Sequence, residues 1–435
     1  MNKYDSYKDS GVEWIGEIPE RWNIVRLKHI VQIKICDGPH ETPDWVEAGV
    51  PFISAEAIRG NKIDFKFKRG DITIEQHKEY TKKSKVKKGD ILFCKAGSTT
   101  GKSAMVDIND DFGIWSPLAI IRANSEKVDN YYLFHSIQSD IFRKEVETAW
   151  TFGTQPNIGM GSLENLWVVL PNSLFDQKII ANYLDRKTTE IDDLISKKER
   201  LINLLEEEKT AVINQAVTKG LNPAVPMKDS GMYWLGEVPE HWELRKLKHN
   251  CQLISNKTSN KPEYVLALEN IESWSGKIIG NPFLNEMMGD VSIFEKGDIL
   301  FSKLRPYLAK VHLPERNGGC VGEILILRPN EDVYSEFLFY RLISKSIISI
   351  VDNSTYGTKM PRASWEKFIS HILIGIPPIE EQIKIVKHIQ SKLKNMIALK
   401  NRIDNEISLL QEYKTALISE VVTGKVDVRE AVLVN

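Results

Sequence analysis

Lys8-Asp-Ser-Gly-Val-Glu-Trp-Ile-Gly-Glu-Ile-Pro-Glu-Arg-Trp22 decides the architecture, because it returns as Lys228-Asp-Ser-Gly-Met-Tyr-Trp-Leu-Gly-Glu-Val-Pro-Glu-His-Trp242. The match runs on through Leu27-Lys28-His29 and Leu247-Lys248-His249. Tryptophan is rare, so two aligned pairs, Trp14 with Trp234 and Trp22 with Trp242, make coincidence implausible. The chain is a duplication, and that must be settled before any local reading. Further on, Lys88-Gly-Asp-Ile-Leu-Phe93-Cys94-Lys95 recurs as Lys296-Gly-Asp-Ile-Leu-Phe301-Ser302-Lys303. Gly153-Thr154-Gln155 is echoed by Gly357-Thr358-Lys359, and Lys209-Thr-Ala-Val-Ile213 by Lys414-Thr-Ala-Leu-Ile418. The offset shrinks from 220 at Trp14 and Trp234 to 205 at Gln177 and Gln382, so the second copy has lost loop residues and kept its framework.

Texture changes once within each copy. The first part is broken by Gly, Pro and Asp-Gly signals, with short strand-like runs such as Asp90-Ile-Leu-Phe93, Leu166-Trp-Val-Val-Leu170 and Ile324-Leu-Ile-Leu327. The rest has almost no breaker. From Leu174 to Lys219 there is neither Pro nor Gly, and apolar residues step through Ile180, Leu184, Ile191, Leu194, Leu201, Leu205 and Val212. The second copy gives Ile385, Ile389, Met396, Leu399, Ile403, Leu410, Tyr413 and Leu417. This period predicts two long helices, with Ser173 and Asp176 as a capping box, Pro378 at a first helical position, and Gly220 and Gly424 as stops. Lys198 and Glu406 interrupt the apolar seam. Because the second module lies between the helices, an antiparallel coiled coil holding the modules at opposite ends is the expected arrangement. The fold class is α+β. Residues 1–172 are the first module, 173–223 the central helix, 224–377 the second module, and 378–435 the distal helix with its tail.

Composition sets outer limits. The 435 residues carry 58 Lys and Arg against 59 Asp and Glu, so any nucleic-acid surface must be local. Cys36, Cys94, Cys251 and Cys320 are isolated, which predicts neither a zinc site nor a disulfide framework. No apolar run suits a membrane span, and the charged start at Met1-Asn2-Lys3 points to a cytoplasmic protein.

Catalytic motifs fail one by one. Gly97-Ser-Thr-Thr-Gly101-Lys102-Ser103 resembles a phosphate-binding loop, but three residues separate its glycines where four are needed to wrap a phosphate. Asn281-Pro282-Phe283 lacks the second proline of the amino-methyltransferase tetrapeptide and reads as a turn. His29 and His249, within the repeated framework, are expected to make structural hydrogen bonds. Glu17, Glu20, Glu237 and Glu240 are expected to belong to a packed edge.

Binding chemistry is present instead. Lysines and arginines crowd residues 62–69 and 78–88 of the first module, and Lys303, Arg305, Lys310, Lys359 and Arg362 mark the second. Beside them lie small polar loops whose hydroxyl, amide and cationic groups suit phosphates and base edges. The DNA-contact candidates are Lys95, Ser98, Thr99, Thr154 and Gln155 in the first module, and Lys303, Arg305, Thr358 and Lys359 in the second.

With the doubled opening, Asp37-Gly-Pro-His40-Glu-Thr-Pro43, the Lys-Gly-Asp-Ile-Leu-Phe strand and the spacing from Pro378 to Gln382, the chain resembles the DNA specificity subunits of type I restriction-modification systems. The first copy departs at Asn172-Ser173-Leu174-Phe175-Asp176-Gln177, where the proline is missing. The resemblance implies a non-catalytic subunit that reads a bipartite, asymmetric double-stranded DNA target, one module per half-site. It also implies helices that dock two methyltransferase subunits and serve a restriction and motor subunit. S-adenosylmethionine, ATP and Mg would belong to those partners, with no cofactor and no metal in this chain. A coiled-coil adaptor whose modules bind proteins is the alternative that the residues alone leave open.

Overall fold

The computed structural model describes residues 2–152, 155–259, 262–282 and 290–430. The chain divides into two compact units, residues 1–198 with 405–435, and residues 199–404. Each unit therefore takes one mixed α/β module and one segment of each long helix, Leu174–Lys219 and Ile379–Val422.

In the first unit, Ser103–Met105, Ile91–Cys94, Leu118–Ile121 and Cys36–Asp37 form an antiparallel sheet in that order. A second sheet joins Gly113–Ile114, Val50–Ile53, Gly70–Ile72 and Trp45–Val46, its first pair parallel. The central strand is apolar throughout because both its faces are covered. Ile91 and Phe93 point into a core shared with the helices, whereas Leu92 and Cys94 point into a separate core with Ile53 and Ile114. The second unit repeats the device. Ile299 and Phe301 enter the helix-facing core and Leu300 the other.

The Asp of each Lys-Gly-Asp-Ile-Leu-Phe run is a buried anchor. Arg122 donates to both oxygens of Asp90 at 2.7 and 2.8 Å, and Arg328 to both of Asp298 at 2.7 and 3.0 Å. The start of each long helix is locked by a glutamine. Gln177 accepts from the Asp129 amide at 2.7 Å and donates to the Pro171 carbonyl at 2.8 Å. Gln382 accepts from the Tyr334 amide at 2.8 Å and donates to the Asp332 and Pro377 carbonyls at 3.0 and 2.9 Å. Ser173 Oγ accepts from the Asp176 amide at 3.3 Å, as the capping reading expects. Pro378 precedes the second helix, its carbonyl accepting from the Glu381 and Gln382 amides.

Within each unit the helix segments run antiparallel. In the first, Asp192 pairs with Lys414 and Lys198 with Glu406, so two seam charges neutralise each other. In the second, Glu206 faces Lys400 while Gly220 lies beside Glu381. Ile180, Leu184, Ile385 and Ile389 are buried. Leu194, Leu201, Leu399 and Tyr413, expected in the seam, are 42 to 46% exposed, because a two-helix contact covers only the strip facing one neighbour.

The repeated opening folds as a hairpin, Tyr7–Asp9 with Glu17–Pro19 and Met227–Asp229 with Glu237–Pro239. Trp22 and Trp242 are buried beside the glycines that end the long helices, Gly424 and Gly220, both in left-handed backbone. Glu17, Glu20, Glu237 and Glu240 are exposed, and the packed edge consists of their apolar neighbours Ile18 and Val238. The imidazoles of His29 and His249 are exposed too. Their backbone carbonyls carry the structural bonds instead, from Lys127 at 3.0 Å and Asn330 at 2.9 Å. No helix among the described residues is long and apolar enough to cross a membrane.

Candidate nucleic-acid interface

After the central strand of each module the chain makes a polar loop, and both loops are fastened by the same three backbone hydrogen bonds. In the first, the Lys95 amide donates to Pro117, Gly97 to Pro156 and Ile158 to Lys95, at 2.8, 3.0 and 2.8 Å, while Ala96 bridges Asn157. In the second, Lys303 donates to Glu323, Arg305 to Pro361 and Ala363 to Lys303, at 3.1, 2.8 and 2.9 Å, while Leu304 bridges Arg362. Two segments far apart in sequence are thus tied together in each copy, which fixes the loop tips on a rigid base.

This framework gathers the described candidates of each module. Ser98 and Gln155 are exposed, and the Gln155 carboxamide oxygen lies 3.8 Å from where a Cβ on Gly97 would sit. Thr99 turns its hydroxyl toward the Cys94 thiol, which burial pushes up to about 12. Thr154 lies outside the described residues, as does Phe283 of the Asn281-Pro282-Phe283 segment. Arg305, Thr358 and Lys359 are exposed, and Lys303 is half-buried.

Lys95 is the exception. It is 8% exposed, and its ammonium sits 3.2 Å from Asp37, which Lys83 also contacts at 2.9 Å. Burial would raise the Asp37 carboxyl, but hydrogen bonds from Lys83 and Lys95 outweigh it and hold the group below its ordinary value. Lys95 therefore positions the loop through Asp37 and does not reach outward. Its counterpart Lys303 makes no ion pair among the described residues.

The basic segments are partly consumed in the same way. Lys68 pairs with Asp71, Arg69 with Glu56, Lys82 with Glu79 and Lys83 with Asp37. Arg362 forks onto Glu323, and Lys310 donates to the Leu268 carbonyl at 2.6 Å. What remains outward in the second loop is Arg305, Thr358 and Lys359, flanked by Tyr307 and Tyr356, 46% and 62% exposed. Sequence reasoning missed these tyrosines. An aromatic amid hydroxyl and cationic loop residues was the available signal, since its face packs on sugars and bases.

The glycine-rich stretch near Lys102 runs from a turn into the strand Ser103–Met105, not into a helix, so it is no P-loop. Among the described residues, no three His, Cys, Asp or Glu side chains converge to hold a metal ion.

Comparison with known proteins points to one family. A family model described as type I restriction modification DNA specificity domain matches residues 19–204 and 239–409. The chain is 28% identical to the type I restriction enzyme MjaX specificity subunit of Methanocaldococcus jannaschii, over 95% of this chain and 96% of that one. It is 20% identical to the EcoKI specificity subunit of Escherichia coli strain K12, over 94% and 90%. Its fold is similar to a chain from a solved type I R-M system, with a TM-score of 0.70 at 16% identity, covering 94% of this chain and 99% of that one. The HsdS subunit from Thermoanaerobacter tengcongensis gives a TM-score of 0.54 at 17% identity, over 94% and 98%.

Proposed function

We propose, since this chain belongs to the family of type I restriction-modification DNA specificity subunits and carries two of its recognition domains, that each domain reads one half of a bipartite, asymmetric duplex target. The observation that carries this reading is the doubled loop scaffold. Identical fastening in two copies presents different tips, Ser98 and Gln155 against Arg305, Thr358 and Lys359. Conserved scaffolding with diverged tips suits two different half-sites. Arg305 has the forked guanidinium that reads guanine, and Gln155 the carboxamide that reads adenine.

Chemistry then belongs to partners. The chain contributes binding and register, two methyltransferase subunits supply S-adenosylmethionine and adenine methylation, and a restriction and motor subunit supplies ATP and Mg chemistry in the cytoplasm. Apolar side chains left exposed on the long helices support docking there, Leu409 and Tyr413 in the first unit, and Leu201, Leu204 and Ile397 in the second.

Co-expression with a methyltransferase subunit, mass determination and long-read mapping of methyladenine test this. The expected result is two methyltransferases per chain and a split, asymmetric methylated motif. A chain that stays alone and leaves the methylome unchanged defeats the reading and favours a protein-binding adaptor.

A further inference from the structure

The two long helices agree where they are buried and differ where they are exposed. Ile385 and Ile389 stand at the places of Ile180 and Leu184, and all four are buried. On the outward side the copies part. Residues 384–395 hold Lys384, Lys387, Lys392 and Lys394 and no carboxylate, a formal charge of +4. The matching stretch, residues 179–190, balances Arg186 and Lys187 against Asp185 and Glu190. Mixed signs are the pattern of a solvated face, whereas a run of one sign repels itself and calls for opposite charge from outside.

The fold supplies no such charge. Lys384, Lys387, His388, Lys392 and Lys394 are exposed, and none makes an ion pair among the described residues. Lys187 of the first copy, by contrast, is held by Glu190 at 2.7 Å, and Lys400 further along the second helix faces Glu206. Lys384, Lys387, Ser391 and Asn395 step by threes and fours and so share one face, with small polar groups beside the cations. Every exposed residue from Lys384 to Asn395 is polar or basic. The apolar side of the helix is already taken, since Ile385, Val386 and Ile389 lie in the core of the second unit.

This face adjoins the second recognition loop. Gln390, one turn from both Lys387 and Lys394, lines a cavity with Gly276 and Lys277. In the same turn of chain, the Trp274 amide donates to the Ala309 carbonyl at 3.3 Å, and Ala309 closes the turn that opens with Arg305. Residues 272–277 thus bridge the Arg305 loop to the helix. The cavity's own charges cancel, Lys277 and Arg316 against Glu315 and Glu336, so the excess sits on the helix.

We infer that the 384–394 face of the distal helix holds the phosphate backbone of duplex DNA beside the second half-site, without reading its sequence; this rests on the chain's reading as a DNA specificity subunit. A duplex carries one charge per roughly 1.7 Å, so lysines spread over about 15 Å of helix meet several phosphates. A protein partner fits less well, because interface centres are depleted of lysine and built on apolar anchors, and this stretch exposes none. A membrane fits less well still, because the apolar side is buried in the core and nothing remains to enter lipid.

Fluorescence anisotropy of the full chain on a duplex of unrelated sequence, across a salt series, tests the face. The variant combines Lys384→Gln, Lys387→Gln, Lys392→Gln and Lys394→Gln, which preserves helix propensity. Its affinity at low salt should fall about tenfold or more, and the slope of log K against log salt should drop by about 0.9 for each phosphate contact removed, up to about 3.6. Lys187→Gln in the first copy should leave the slope unchanged. The methylated motif of the assembled complex should be the same with and without the four changes. Absence of duplex binding by the unaltered chain, an unmoved slope, or an altered motif each overturns the inference. So does a variant that keeps its slope but no longer assembles with a methyltransferase subunit, which makes the face a protein interface. A chain that binds duplex through these lysines while its complex leaves the methylome unchanged upholds the helix face and defeats the half-site reading instead.

Discussion

Gly97 and Arg305 occupy the same place in their two loops, each donating its amide to a proline carbonyl from left-handed backbone, at φ 91° and 47°. Glycine adopts that conformation freely, whereas a side chain there costs about 1–2 kcal/mol. The second module accepts strain at the position where it presents an exposed guanidinium.

Arg305→Gly should therefore separate stability from recognition. Relief of the backbone strain should leave the melting temperature unchanged or raise stability by about 1 kcal/mol. Methylation mapping of the complex should show the second half-site degraded or lost. Retained target methylation would remove Arg305 from the contact set.

Lys95→Met should destabilise by about 1–3 kcal/mol, because Asp37 stays buried with Lys83 as its remaining cation. The sign of the pH effect follows from the lowered Asp37 carboxyl. Its contribution is full above the ordinary carboxylate value and is lost as pH falls through the lowered one. Melts across an acid series should show that limb in the unaltered chain and a shallower one in Asp37→Asn. Identical acid limbs would mean that Asp37 does not hold the loop.

Gln177→Ala and Gln382→Ala each strand a buried amide and buried carbonyls, at a cost of about 1–3 kcal/mol. Urea unfolding should give similar losses for the two, since their bonding patterns match. A loss confined to one would show that only one helix start depends on its glutamine.

Glycine replacements rank by what a Cβ meets. Gly231→Ala pays only for its φ of 71°, with nothing within 4 Å. Gly424→Ala has a similar φ of 74° and also drives a Cβ to 2.3 Å from the Pro19 ring. Thermal melts should place Gly231→Ala near 1 kcal/mol of loss and Gly424→Ala about 1–3 kcal/mol beyond it. Equal losses would mean that the opening hairpin does not pack on that helix end.

Much of this was legible in the residues. Duplication, strands bounded by breakers, two long helices, their glycine stops and the loops beside the central strands all follow from local pattern, because turn chemistry and apolar period act over a few residues. The exposure of Leu194 and Leu201 was not legible, since periodicity predicts a stripe but not how much of it a single neighbour covers. Nor was the fate of individual charges. Lys95 and Lys303 stand at the same motif position, yet the first is drawn inward by Asp37 and the second is not.

Sequence by itself determined that this protein is two copies of one module joined by helices, and where polar loops follow the central strands. Tertiary structure decided which side chains in those loops remain available. The reason is that a cation's availability depends on whether a carboxylate from a distant strand reaches it first. That partnership is set by three-dimensional packing, which no spacing along the chain records.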